Sequence, residues 1–151
     1  MGWEMTSEAK VANANDAATL TDHLDVDYVD GEEYEITVRG HRVRVDQPTG
    51  SGGADHAPTP TELFVGALAA CVAFYAGRYM TRHGFDRDGL RVRSEFVMAN
   101  DRPARVATIR ISVHPPTGFP AERVAAVAAV ASHCTVHNTL QHQPEITVAV
   151  A

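Results

Sequence analysis

The chain has 151 residues, of which 44% are hydrophobic and 21% charged, a length and composition typical of one globular domain. Its formal net charge of -6 disfavours a nucleic-acid binder or a protein that docks on an anionic membrane, because both need a basic face. Two cysteines are too few for a disulfide-stapled secreted scaffold, and the longest apolar run is shorter than the roughly 20 residues that span a bilayer. We therefore expect a cytoplasmic protein with no membrane segment and with reduced thiols.

The first part of the sequence changes character near residue 26. Residues 1–25 are small, polar and acidic with little periodicity, which predicts a loosely ordered N-terminal extension ahead of a domain over residues 26–151. Apolar and polar residues alternate over residues 34–46 on both sides of a turn at Gly40, a pattern that predicts a β-hairpin. The glycine- and proline-rich residues 48–60 predict a loop.

A long helix is predicted after this loop. Thr59 can act as the N-cap, Pro60 suits the first helical position, and Glu62 stands where a capping box requires an acid. The helix should continue to about His83 and stop at Gly84. Because its middle is apolar on every face, and one small domain cannot surround it, we expect a second subunit to cover part of it.

Further elements follow in the order strand, strand, helix, strand. Residues 91–99 and 106–113 alternate as strands, and Pro120 opens a second helix. A short helical turn is predicted over residues 136–140 and a final strand over residues 146–150. This order predicts an α+β fold with a mixed or antiparallel sheet and two core helices.

The two cysteines are the first candidates for chemistry. Cys71 lies in the middle of the long helix, and Cys134 follows the apolar stripe of the second helix at a predicted N-cap. Both could be inert core residues, which free cysteines often are. Both also lie on inward stripes of helices that must pack together, and two Cα atoms within about 7 Å would permit a reversible disulfide.

Three segments of the sequence resemble one known family, the osmotically inducible protein C / organic hydroperoxide resistance (OsmC/Ohr) family. The resemblance lies in PTPTEL at residues 58–63, ALAAC at residues 67–71 and SHCTVHNTL at residues 132–140, together with the separation of the cysteines. It covers about residues 26–150. Thr135 departs from the pattern, since many relatives carry proline there, but threonine also suits a first helical position.

The resemblance implies an OsmC-like fold in an intertwined homodimer with the long helix buried at its centre. It also implies a thiol-dependent peroxidase that acts on small organic hydroperoxides. In that reaction Cys71 is oxidised to a sulfenic acid and Cys134 resolves it to a disulfide. An external dithiol or thiol reductant protein then reduces the disulfide, and no cofactor or metal is expected.

The resemblance further makes Glu62 a site residue that positions an arginine. Glu62 and Cys71 are 2.5 helical turns apart, so they cannot meet within one straight helix. Either the helix is broken or the glutamate of one subunit meets the cysteine of the other. We name Arg44 as the arginine. Arg42 and Arg39 stay as alternatives, because nothing in the sequence selects among the three.

Three other interpretations stay open at this point. The same fold could bind a small apolar ligand at the dimer interface without catalysis, or serve as a structural dimer with inert cysteines. A metal site around His133, Cys134 and His137 is disfavoured because no further ligand pair completes a tetrahedral set. Glu62 could serve the capping box alone.

Overall fold

The structure is a computed structural model that describes residues 22–151. Its strands are β1 (Asp25–Asp30), β2 (Glu33–Val38), β3 (His41–Val45), β4 (Arg91–Met98) and β5 (Val106–His114). Its helices are α1 (Pro60–Arg82), α2 (Val124–Ala131) and α3 (Thr135–Gln141), with short 3₁₀ turns at Thr49–Ser51 and Ala121–Arg123. This is the α+β fold predicted. The extension predicted for residues 1–25 lies almost wholly outside the described residues.

The strands form two separate antiparallel sheets. One sheet has the order β1-β2-β3, with Ile36 opposite Val43 across the predicted hairpin, and the other pairs β4 with β5. Strand β1 was not predicted, because aspartates occupy half of its positions and obscure the apolar alternation.

Helix α1 begins as the sequence predicts. The Thr59 side chain accepts a hydrogen bond from the Glu62 backbone N–H at 3.1 Å, and the Glu62 carboxylate accepts one from the Thr59 N–H at 2.8 Å. Together these bonds form the capping box and satisfy two backbone donors that the helix leaves free. At the other end His83 caps the helix and Gly84 leaves it with a φ of 75°.

The core lies where one face of α1 packs against α2 and the β4-β5 sheet. Its buried residues come from α1, α2 and the turn after α2: Leu68, Val72, Ala76, Tyr79, Met80, Val127, Ala131 and Cys134. The opposite face of α1 is open, and the Phe74 side chain there is 53% exposed. The three-stranded sheet likewise presents exposed apolar side chains, with Tyr28 63% exposed. Residues 22–151 therefore leave large apolar surfaces uncovered.

The predicted final strand over residues 146–150 is wrong for this chain. The segment forms no strand pairing among the described residues. The side chains of Ile146, Val148 and Val150 are 80%, 88% and 99% exposed. A strand needs a neighbouring strand to pair with its backbone, and none of the strands within residues 22–151 supplies one here.

Helix α1 is also long and apolar enough to cross a membrane by length and composition, with a mean hydropathy of 1.5. The same properties are found in the core helix of a soluble domain. Its packing against α2 and the second sheet, and the capping box at its start, fit the latter case.

Candidate thiol site

The site is built around Cys71 and Cys134, which the fold brings together. Cys71 is half-buried in the middle of α1, whereas Cys134 is fully buried at the start of α3. Cys71 packs against the buried cluster that contains Cys134, and it is near enough to raise the pKa of the Cys134 thiol. Both are free thiols. The packing of α1 against α2 and the turn before α3 thus places the two cysteines in one part of the fold.

Side chains of α3 hold the turn that presents Cys134. The ring of His137 bonds the Ser132 carbonyl oxygen, and the Asn138 amide donates to the His133 carbonyl oxygen at 3.1 Å. These two bonds satisfy carbonyl oxygens in the turn between α2 and α3 that accept no hydrogen bond within either helix. The turn is therefore fixed by the residues that follow the cysteine in sequence.

Cys134 is the N-cap of α3, as predicted. Its Sγ accepts a hydrogen bond from the His137 backbone N–H at 3.4 Å. Burial nevertheless raises the pKa of the Cys134 thiol, and the neighbouring Cys71 raises it further, against the lowering effect of the His137 N–H. The start of a helix favours a thiolate, but at Cys134 this effect is outweighed by burial.

A second contact joins α1 to the start of α3. The Tyr75 hydroxyl, one turn after Cys71, lies 3.0 Å from the Thr135 hydroxyl, which directly follows Cys134. Sequence reasoning missed this pair, because no local pattern connects a tyrosine and a threonine on different helices.

An apolar cavity of about 360 Å³ lies between α1, α2 and β5. Leu68 and Val72 of α1 form one wall, and side chains of β5 and α2 form the others. The polar residues of its lining are Ser132 and His137, on either side of Cys134 in the sequence. Neither cysteine lines the cavity, although Val72 is the immediate neighbour of Cys71.

Glu62 lies in the first turn of α1, whereas Cys71 lies in the middle of the same helix. The helix is unbroken from Pro60 to Arg82, which removes the option of a broken helix that would let Glu62 meet Cys71 in one chain. Among the described residues Glu62 forms the capping box and no ion pair with an arginine.

The three candidate arginines belong to the first sheet. Arg44 donates from Nε to Glu35 at 2.8 Å and from Nη1 to Glu33 at 2.6 Å, so two carboxylates hold its guanidinium group. Arg42 makes one longer contact with Glu35, at 3.4 Å, and Arg39 lies in the β2-β3 turn with a φ of 49°. Within residues 22–151 no hydrogen bond or ion pair joins these arginines to either thiol.

Apart from the thiol site, the side chains of Asp46, Glu33 and His56 form a cluster of groups that could hold a metal ion. It is buried, and its carboxylate accepts backbone N–H bonds from Gln47, Ala54 and His56 at 2.7, 3.2 and 3.0 Å. The His56 N–H bond is the main reason that the pKa of Asp46 lies below its usual value. Its oxygens are already engaged in shaping the loop that leads into α1.

The matches to known proteins agree with this geometry. The family model for OsmC-like proteins matches residues 52–149, which include α1 and both cysteines. No curated protein sequence matches the chain significantly.

Solved structures with the same fold come from several bacteria. A Psychrobacter arcticus protein, described as a candidate osmotic stress induced and detoxification response protein, is 22% identical over 77% of this chain and 85% of its own, with a TM-score of 0.71. An organic hydroperoxide resistance protein OsmC from Legionella pneumophila is 16% identical, over 85% and 96%, with a TM-score of 0.61. The organic hydroperoxide resistance protein OhrB of Bacillus subtilis is 14% identical, over 83% and 95%, with a TM-score of 0.59. At these identities the likeness shows the fold.

Proposed function

The chain belongs to the OsmC-like protein family, and on this premise we propose that it is a thiol-dependent peroxidase that reduces organic hydroperoxides through Cys71 and Cys134. The observation that carries the proposal is the pair of adjoining free thiols between α1 and α3. Proteins of this fold that are described as organic hydroperoxide resistance proteins support a peroxide-related function. Inert core cysteines, by contrast, would need no partner thiol.

The first step oxidises Cys71. Its thiolate attacks the distal oxygen of the hydroperoxide, the O–O bond breaks, and the alkoxide leaves and takes up a proton as the alcohol. The sulfur keeps one oxygen as a sulfenic acid, so that two electrons pass from sulfur to the peroxide. Cys71 suits this role because it is the more accessible of the two thiols.

The second step forms the disulfide. The Cys134 thiolate attacks the Cys71 sulfur, and the hydroxyl group of the sulfenic acid leaves as water. An external dithiol then reduces the disulfide by thiol–disulfide exchange and is itself oxidised, which returns both cysteines to thiols. Burial of Cys134 suits a resolving residue, since it keeps that thiol away from bulk oxidants until Cys71 has reacted.

The surroundings favour apolar hydroperoxides. The cavity between α1, α2 and β5 has the volume for a small organic group and is lined mostly by aliphatic side chains. Hydrogen peroxide, with no apolar group, would gain nothing from it.

A homodimer completes the proposal. The exposed face of α1, the separate three-stranded sheet and the unpaired residues 146–150 leave apolar surface that a second copy would cover. In such a dimer Glu62 and Arg44 of one subunit would approach Cys71 of the other, where the guanidinium group would stabilise the thiolate. The cytoplasm, where thiols stay reduced, is the proposed compartment.

The test of this function is steady-state consumption of cumene hydroperoxide with dithiothreitol as reductant. Wild type should turn over rapidly, Cys71→Ser should show no turnover, and Cys134→Ser should lose most of it. Sedimentation of the same samples should give a dimer. Consumption no faster than that by free cysteine would overturn the peroxidase.

The apolar cavity also favours a second candidate, a dimer that binds a small apolar ligand without catalysis. That protein would retain an apolar probe such as cumyl alcohol equally well as wild type and as Cys71→Ser. It would consume no hydroperoxide.

A further inference from the structure

The contact between α1 and α3 contains two parallel links. The Cys71–Cys134 thiol pair is one, and the hydrogen bond between the Tyr75 and Thr135 hydroxyls at 3.0 Å is the other. Tyr75 follows Cys71 by four residues, about 6 Å along the same face of α1, and Thr135 directly follows Cys134. Any movement of the start of α3 away from α1 therefore breaks both links.

Among the described residues, few contacts hold helix α3 in place. It has seven residues, none of them buried, and a helix this short is not stable by itself in water. Its attachments are the buried Cys134 cap, the half-buried Val136, the Tyr75–Thr135 hydrogen bond and the α3 side chains that line a groove against α1 and β5. The Tyr75 ring is itself fixed, because it is half-buried against the core and packs edge-on to Phe74 with ring centroids 5.5 Å apart.

We infer that Tyr75 and Thr135 are positioning residues for the resolving step, and that their hydrogen bond holds Cys134 against Cys71. This rests on the proposed function for its role in catalysis, but its effect on disulfide formation does not. A held Cys134 has a higher effective concentration at the Cys71 sulfur, so that both the rate of disulfide formation and its equilibrium constant rise.

The test is the thiol–disulfide equilibrium of the purified protein in mixtures of reduced and oxidised glutathione, with no peroxide present. Tyr75→Phe and Thr135→Val each remove one hydroxyl and little volume. Each should lower the equilibrium constant for the Cys71–Cys134 disulfide about three- to tenfold, which is a shift of about 15 to 30 mV toward more positive potentials. The double variant should match either single variant, because the two residues share one bond.

Two controls separate positioning from general damage. Thr135→Ser keeps the hydroxyl and should retain the wild-type equilibrium constant. The thermal unfolding midpoints of the reduced variants show whether the fold is intact.

The outcomes distinguish this inference from the peroxidase. A lowered equilibrium constant in Tyr75→Phe and Thr135→Val upholds the positioning role even when wild type consumes no hydroperoxide. An unchanged constant in both variants, additive effects in the double variant, or a wild type that forms no Cys71–Cys134 disulfide would overturn it. In a peroxidase, trapping of the sulfenic acid should show that both variants form it at the wild-type rate and lose it more slowly.

Discussion

The thiol of Cys134, at the cap of α3, adjoins the thiol of Cys71 in the middle of α1. The two differ in exposure, since Cys134 is fully buried and Cys71 only half-buried. In the proposed reaction, the accessible Cys71 thiol would meet the hydroperoxide and the protected Cys134 thiol would complete the disulfide.

The raised pKa of Cys134 predicts how the resolving step depends on pH. Burial keeps the Cys134 thiol protonated at neutral pH, so that only a small fraction is the nucleophilic thiolate. Because the pKa lies above the ordinary thiol value of about 8.5, disulfide formation after a single addition of hydroperoxide should still accelerate between pH 8 and 9, by up to about tenfold. Stopped-flow measurement across pH 6 to 9.5 would check this. A rate that levels off below pH 8 would contradict it.

Glu62 has a structural role that can be separated from a catalytic one. Glutamine also completes a capping box, so Glu62→Gln should retain the stability of α1, whereas Glu62→Ala should cost about 1 kcal/mol in the free energy of unfolding. If the Glu62 carboxylate orients an arginine of its own subunit toward Cys71 of the other subunit, Glu62→Gln should slow Cys71 oxidation by about tenfold at unchanged stability. Equal oxidation rates in wild type and Glu62→Gln would leave only the capping role.

Arg44 is the arginine that the first sheet holds most firmly, by bonds to Glu33 and Glu35. We predict that Arg44→Gln slows oxidation of Cys71 by about tenfold or more through loss of a nearby positive charge. Arg42→Gln is the matched control, since Arg42 lies on the same strand and contacts the same Glu35 at 3.4 Å. Wild-type oxidation rates in both variants would show that neither guanidinium group serves the thiol.

Much of the fold could be predicted from local sequence signals. The capping box at Thr59 and the N-cap at Cys134 were predicted because each depends on residues within one turn. Strand β1 was missed because its aspartates mask the alternation, and residues 146–150 were wrongly expected to pair. Contacts between distant segments, such as that of Tyr75 with Thr135, could not be predicted, because no local sequence pattern indicates them.

The loop before α1 requires a glycine at position 53. A Cβ at Gly53 would lie 1.9 Å from the Gln47 carbonyl oxygen and 2.8 Å from Asp46 Oδ1. Gly53→Ala should therefore displace the loop and lower the free energy of unfolding in urea by about 1 to 3 kcal/mol. Gly50→Ala in the same loop meets no atom within 4 Å and should stay within about 0.5 kcal/mol of wild type. Equal losses in both variants would contradict this explanation.

The most direct test of the account is the intact mass of Cys134→Ser after one equivalent of cumene hydroperoxide. We predict that Cys71 gains one oxygen atom as a sulfenic acid that dimedone traps, while wild type instead loses two hydrogen atoms and yields a peptide linking Cys71 to Cys134. A Cys134→Ser protein that remains unmodified, together with a wild type that keeps both thiols, would contradict the proposed function.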